Sequence, residues 1–170
     1  RLFGYVTLEQ ILWLLFMVYF TIMFYEYFLD KHISHKLNKP HFKYLLIFFL
    51  SLFSIFLFLL FGFPQFLHIP YFYLSLGVIF ILIPILLELF KYPRYYSKFF
   101  KAQAYFFYLN FLYEVTALKL GWWYFPGNEF VGWITILGVS FPFEEFFFWI
   151  MLIVLAILSY FEFSEEEIKK

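Results

Sequence analysis

Tyr44-Leu-Leu-Ile-Phe-Phe-Leu-Ser-Leu-Phe-Ser-Ile-Phe-Leu-Phe-Leu-Leu-Phe-Gly-Phe63 carries no charge at all. About 20 such residues are what a helix needs to cross a hydrocarbon core roughly 30 Å thick. Working outward on the same scale, four more stretches qualify: Thr7–Phe28, Ile69–Phe90, Ala102–Leu120 and Gly138–Phe161. The first begins Thr-Leu-Glu-Gln, which suits a helix N-cap followed by an acidic first turn. The third is interrupted by Pro84 and carries Glu88 near its end. The fourth is the most polar, with Gln103, Asn110 and Glu114, and the fifth carries Glu144 and Glu145 near its start. These are continuous apolar runs, not the alternating segments of a membrane barrel. The expected fold is all-α: a polytopic helix bundle of about five spans, with residues 1–170 forming one membrane domain.

Composition agrees. Of 170 residues, 65% are hydrophobic, 30% are aromatic and only 14% are charged. A soluble domain of this size has too little interior to hide that much apolar surface, and a nucleic-acid binder needs a basic face. The formal net charge is zero, and with no Cys there are no disulfides, thiolate metal sites or cysteine nucleophiles.

Charge placement orients the bundle. The loop Asp30–Lys43 holds four Lys, Lys91–Lys101 holds three Lys and one Arg, and the tail ends in Lys169-Lys170. An alternating path puts these ten of the twelve basic residues on one side, which the positive-inside rule makes cytoplasmic. The opposite loops, Pro64–His68 and Gly121–Phe130, are nearly uncharged. The expected location is the cell membrane of a bacterium or archaeon.

The first and fifth spans resemble each other. Aligning Glu9 with Glu144 sets Gln10 against Glu145 and later Tyr25 against Tyr160. Both spans end in an aromatic-acidic cluster, Tyr25-Glu26-Tyr27-Phe28 and Tyr160-Phe161-Glu162-Phe163. Coincidence between two Phe-rich helices is the plainer reading; a parallel duplication is the sharper one. On the duplication, 7–28 is the last helix of a first repeat, 44–63 a linking helix and 69–163 a second three-helix repeat. Residue 1 is Arg and runs directly into apolar sequence, so the expectation is that helices precede it in a protein of about seven spans.

The chemistry must come from the few polar residues. Glu9, Glu114, Glu144 and Glu145 all fall toward the non-cytoplasmic ends of their spans. An ionisable group inside a bilayer is costly and marks a functional site by default. A carboxyl group held out of water keeps its proton and can act as an acid, and two near each other divide into one acid and one base. The alternative is that these residues are helix N-terminal acids at the headgroup level, favoured by the helix dipole. Gly121-Trp122-Trp123-Tyr124-Phe125-Pro126-Gly127-Asn128 is the second feature. Trp and Tyr form interfacial belts in membrane proteins, but aromatic faces also stabilise cations.

Familiar cofactor motifs are absent. The chain has one Asp, Asp30, so the Asp-rich magnesium-diphosphate motif of membrane prenyltransferases is not present. Its four His, at 32, 35, 41 and 68, are too few for the eight-histidine di-iron site of membrane desaturases, and His32-x-x-His35 reads as solvated. There is no dinucleotide fingerprint and no phosphate loop. No cofactor is expected, although a reduced flavin can bind through surfaces that no short motif reports.

Glu114-x6-Gly121-x-Trp123, followed by Pro142-x-Glu144-Glu145-Phe-Phe-Phe, resembles the small membrane-integral lycopene cyclases. These include the bacterial two-subunit enzymes, their fused archaeal relatives and the cyclase region of fungal bifunctional proteins. Ala102–Phe163 carries the likeness, with Tyr5–Phe28 as an earlier copy of the Pro-x-Glu-Glu helix. Two departures stand out: Glu114 replaces the usual Asp, and Thr7-Leu8-Glu9-Gln10 lacks the Pro and the second carboxyl. The resemblance implies proton-initiated cyclisation of lycopene, or a related linear carotenoid, to β-rings without net redox change. It implies Glu144 or Glu145 as proton donor, the partner or Glu9 as base, and Glu114 orienting the pair or relaying protons. Trp123, Tyr124, Pro142 and Phe148 would lie against the substrate, which would arrive from membrane lipid between helices. Homo- or hetero-oligomers remain open. Two other readings of the same residues are a small proton-coupled transporter and a non-catalytic membrane assembly subunit.

Overall fold

Length and apolarity make each long run helical, and the last two helical rods are joined by a segment that holds a β-hairpin. A computed structural model describes residues 8–30, 41–125 and 127–165, with side chains from 11 to 164. Thr7, the loop 31–40 with His32 and His35, Pro126 and the tail 166–170 lie outside the described residues. Helix α1 is Leu8–Phe24, widened into a π-helical end at Tyr25–Asp30. Helix α2 is Phe42–Gly62, and α3 is Phe72–Lys91 with a π-helical middle at Val78–Leu82. Helix α4 is Tyr96–Lys119. Strands β1 (Trp133–Ile136) and β2 (Val139–Pro142) form an antiparallel hairpin, and α5 opens with the π-helical turn Glu145–Ile150 and continues as Ile153–Glu165.

The protein is thus mostly helical. Among the described residues, Ile11–Asp30, Phe42–Gly62 and Phe72–Lys91 are long and apolar enough to cross a membrane. Helix α4 has the length but is too polar to qualify on composition, and the apolar part of α5, Ile153–Ser164, is short. No residue of α2 is fully buried within the chain, and most of its Phe side chains are exposed. Such a surface has no favourable partner in water, and it is compatible with a membrane protein.

The rods alternate in direction. Tyr25 near the end of α1 donates to Glu162 Oε1 near the end of α5 at 2.5 Å, so α1 and α5 run parallel. Tyr73 and Gly77 of α3 meet Glu145 and Phe148 of α5, which makes α3 parallel as well. Helix α4 runs the other way, with Phe99 against Tyr25 at one end and Tyr113 stacked on Trp13 toward the other. Helix α2 also runs against α5, with His41 stacked on Phe163 and Phe49 against Tyr160. The core lies between α1, α3, α4 and α5, around Tyr25, Ile81, Phe99, Phe148, Leu155 and Leu158.

Pro84 does not break α3. It has no N–H for the Phe80 carbonyl four residues earlier, and the Tyr160 hydroxyl of α5 donates to that carbonyl at 3.1 Å.

One boundary differs from expectation. The fifth helix does not start near Gly138: residues 139–142 are strand β2, and Pro142 ends that strand opposite Trp133 instead of opening a helix. Leu137 and Gly138 both have positive φ, 53° and 77°, as a type I′ hairpin turn requires. Val139 and Phe141 turn inward against Val115 of α4, while Thr135 and Ser140 pair their hydroxyls on the outside at 2.8 Å.

Gly77 is where α3 comes closest to α5. A Cβ there would sit 2.2 Å from the Phe148 ring. Gly77→Ala should therefore destabilise the protein by about 1–3 kcal/mol, the usual cost of overpacking. Thermal unfolding in detergent should show Gly77→Ala with Phe148→Leu losing less than the two single losses combined.

Candidate functional site

Helix α4 ends in a Schellman motif. The N–H of Trp122 donates to Ala117 O at 3.0 Å and that of Gly121 to Leu118 O at 3.1 Å. Gly121 takes φ +67°, which costs glycine little, and the chain reverses over its own last turns. The reversal returns Trp123 to Glu114, whose Oε1 accepts the indole Nε1–H at 3.0 Å. The Glu114-x6-Gly121-x-Trp123 spacing therefore has a direct mechanical cause.

Glu145 comes from the opposite side. It opens the π-helical turn of α5, is buried, and accepts a hydrogen bond from the Tyr73 hydroxyl in the first turn of α3. The Tyr73 ring stacks on Trp149, centroids 5.9 Å apart. Farther along the same turn, Gln103 of α4 donates to the Ile150 carbonyl at 3.1 Å and ties α4 to α5.

Glu114 and Glu145 line one cavity of about 620 Å³. Its walls include Trp13, Met17, Tyr73, Asn110, Tyr113, Trp123, Tyr124 and Trp149. Trp13 of α1 stacks on Tyr113 of α4 with centroids 4.7 Å apart, closing one side. The wall is apolar and aromatic apart from the two carboxyls, the Tyr hydroxyls and the Asn110 amide.

Of the residues expected at a site, Glu114, Glu145, Trp123 and Tyr124 share this cavity. Glu144 does not line it: fully buried, it accepts the Val131 N–H on Oε1 at 2.7 Å and fastens the loop ahead of β1. Phe148 lies under Gly77 in the core, and Pro142 is buried at the end of β2. Glu9 belongs to α1, and its side chain lies outside the described part. Tyr73, Tyr113 and Trp149 join the expected residues in the cavity, and nothing in the sequence marks these out among 15 Tyr and five Trp; Asn110 stands out there only as a polar residue of the fourth span. Among the described residues no cluster of three His, Asp or Glu could hold a metal.

No family model, curated protein or solved structure matches the chain. The likeness to the cyclases therefore rests on the motif residues themselves.

Glu144→Ala would leave the Val131 N–H without its acceptor, at an expected cost of about 1–3 kcal/mol. Glu144→Gln keeps an acceptor oxygen and should cost much less. Thermal unfolding and protease cleavage within 127–132 should separate the two variants.

Proposed function

We propose that this protein is a membrane-embedded carotenoid cyclase that closes the acyclic ends of lycopene, or a related linear carotenoid, into β-rings without a redox cofactor. One observation carries the reading: two buried carboxyls, Glu114 and Glu145, line the same aromatic-walled cavity. Cyclisation by protonation needs an acid, a base and a wall that tolerates positive charge, and needs nothing else. The Pro-x-Glu-Glu and Glu-x6-Gly-x-Trp motifs supply the link to this substrate class.

Glu145 is the acid in this scheme. It protonates the terminal double bond, and the neighbouring alkene attacks the tertiary cation to form the ring carbon–carbon bond. Glu114 takes a ring proton, which restores a double bond and leaves an isomer of the starting polyene. The assignment follows from the partners. Glu114 is held by an indole N–H, a donor that does not give up its proton, which suits a group resting as carboxylate. Trp123, Tyr113 and Trp149 flank the cation, and aromatic faces stabilise a desolvated cation by about 2 kcal/mol. Glu144 holds the loop that covers this end of the bundle.

In the membrane all five helices cross, α4 and α5 included, with the basic segments around Lys43 and 91–101 on the cytoplasmic side. The alternating directions of the rods support this, as does the gathering of Glu114, Glu144 and Glu145 at the other end. The parallel contact of α1 with α5 supports the internal repeat.

The decisive measurement is cyclised product per amount of inserted protein in lycopene-producing bacteria. Glu145→Gln and Glu114→Gln should each lower it about 10²- to 10⁴-fold, the usual worth of positioned acid–base groups, while Glu144→Gln keeps most of it. Activity should persist in detergent after exhaustive chelation. Unchanged lycopene from well-inserted wild type, or activity requiring a sealed membrane, would refute the reading. Reporter fusions in 31–40 and after Lys170 should both report the cytoplasm.

A further inference from the structure

Tyr73 has a second cavity behind it. This outer cavity, about 630 Å³, is lined by His68, Gly127, Asn128, Glu129 and Phe130, and it shares Tyr73 and Phe125 with the inner one. Tyr73 is thus part of the wall between the two spaces. Its ring packs against Trp149, Phe125 and Phe130, with centroids 5.9, 6.5 and 6.2 Å away. The outer rim is exposed and carries a polar pair. His68 and Glu129 meet across it at 3.6 Å with side chains 77% and 52% exposed. At roughly 30 Å³ per water molecule, the outer cavity has room for several.

We propose that Tyr73 is a proton conduit joining the buried Glu145 carboxyl to water in the outer cavity. A hydroxyl can donate and accept at once, which the indole on Glu114 cannot. Tyr73 already donates to Glu145. When Glu145 has lost its proton, Tyr73 passes its own to the carboxylate and takes one from a water molecule on the outer side. In the cyclisation cycle one proton enters by this route for each that Glu114 returns to solvent, so the acid is reset and the count balances. The ionisable groups around the conduit are Glu145, Glu114 and Glu144, with His68 and Glu129 across the outer cavity. His68 and Glu129 set the charge at its mouth. Tyr73 lies in the first turn of α3, so the path from water to Glu145 is short.

The inference rests on Glu145 holding a proton, as in the cyclase reading, but its test uses no carotenoid. The purified protein in lipid nanodiscs is transferred to deuterated water, and the infrared carbonyl band of protonated carboxyls is followed in time. The component lost in Glu145→Gln belongs to Glu145. Tyr73→Phe keeps the ring packing and removes the hydroxyl, and Asn128→Trp fills the outer cavity. Both should slow hydrogen–deuterium exchange of that component by about tenfold or more. Wild-type exchange in either variant, or no band removed by Glu145→Gln, would overturn the conduit. Slowed exchange in a protein that leaves lycopene unchanged would uphold the conduit and discard the cyclase.

Discussion

A carboxyl group taken out of water needs hydrogen bonds, and the way this chain supplies them to Glu114 and Glu145 organises one whole end of the bundle. Burying either group without a partner would cost several kcal/mol. Trp123 serves Glu114, and reaches it only because Gly121 accepts a positive φ at the end of α4. Tyr73 serves Glu145, and reaches it only because α3 runs parallel to α5 with Gly77 pressed against Phe148. Glu144, next in sequence to Glu145, is spent on Val131 and holds the loop in place. Each polar bond requires a particular backbone event, and the hairpin closes the arrangement by packing Val139 and Phe141 on α4.

The opposite end has its own polar fastening. Tyr25 bonds to Glu162, Lys98 pairs with Asp30, and Arg94 lies over the Tyr92 and Tyr95 rings at 5.2 and 5.0 Å. The middle is largely apolar, with only Thr21, Gln103, Asn110 and Ser159 as buried polar residues between the two ends among the described residues. A bundle whose outer face is lined with Phe and Leu gains little in lipid from apolar contact between helices, so packing detail and polar bonds at the ends must set register. The stacked pairs Trp13–Tyr113 and Phe24–Tyr105 serve that purpose along the α1–α4 seam.

Much of the helical framework was legible because uninterrupted apolar runs of about 20 residues, long enough to cross a membrane, show openly in a sequence. The run 44–63 became Phe42–Gly62, and 69–90 became Phe72–Lys91, shifts of a few residues. The hairpin was not legible as such. Ile134 to Phe141 is short and apolar, and periodicity alone does not separate a strand from a buried helix start in such a run. Leu137-Gly138, bracketed by Ile and Val, was the available turn signal.

By itself the sequence determined that the chain is helical and apolar, which end carries the basic residues, and which few carboxyls stand among hydrophobic neighbours. Those properties are local: they follow from composition over about 20 residues at a time. Only the tertiary structure decided that Glu145 and not Glu144 lines the cavity, because the hairpin before α5 and the π-helical turn at its start set the direction of each side chain. It also decided that Tyr73, one tyrosine among 15, stands between Glu145 and the outer cavity. Partners separated by 72 residues meet through the packing of α3 on α5, and no stretch of sequence read alone contains that contact.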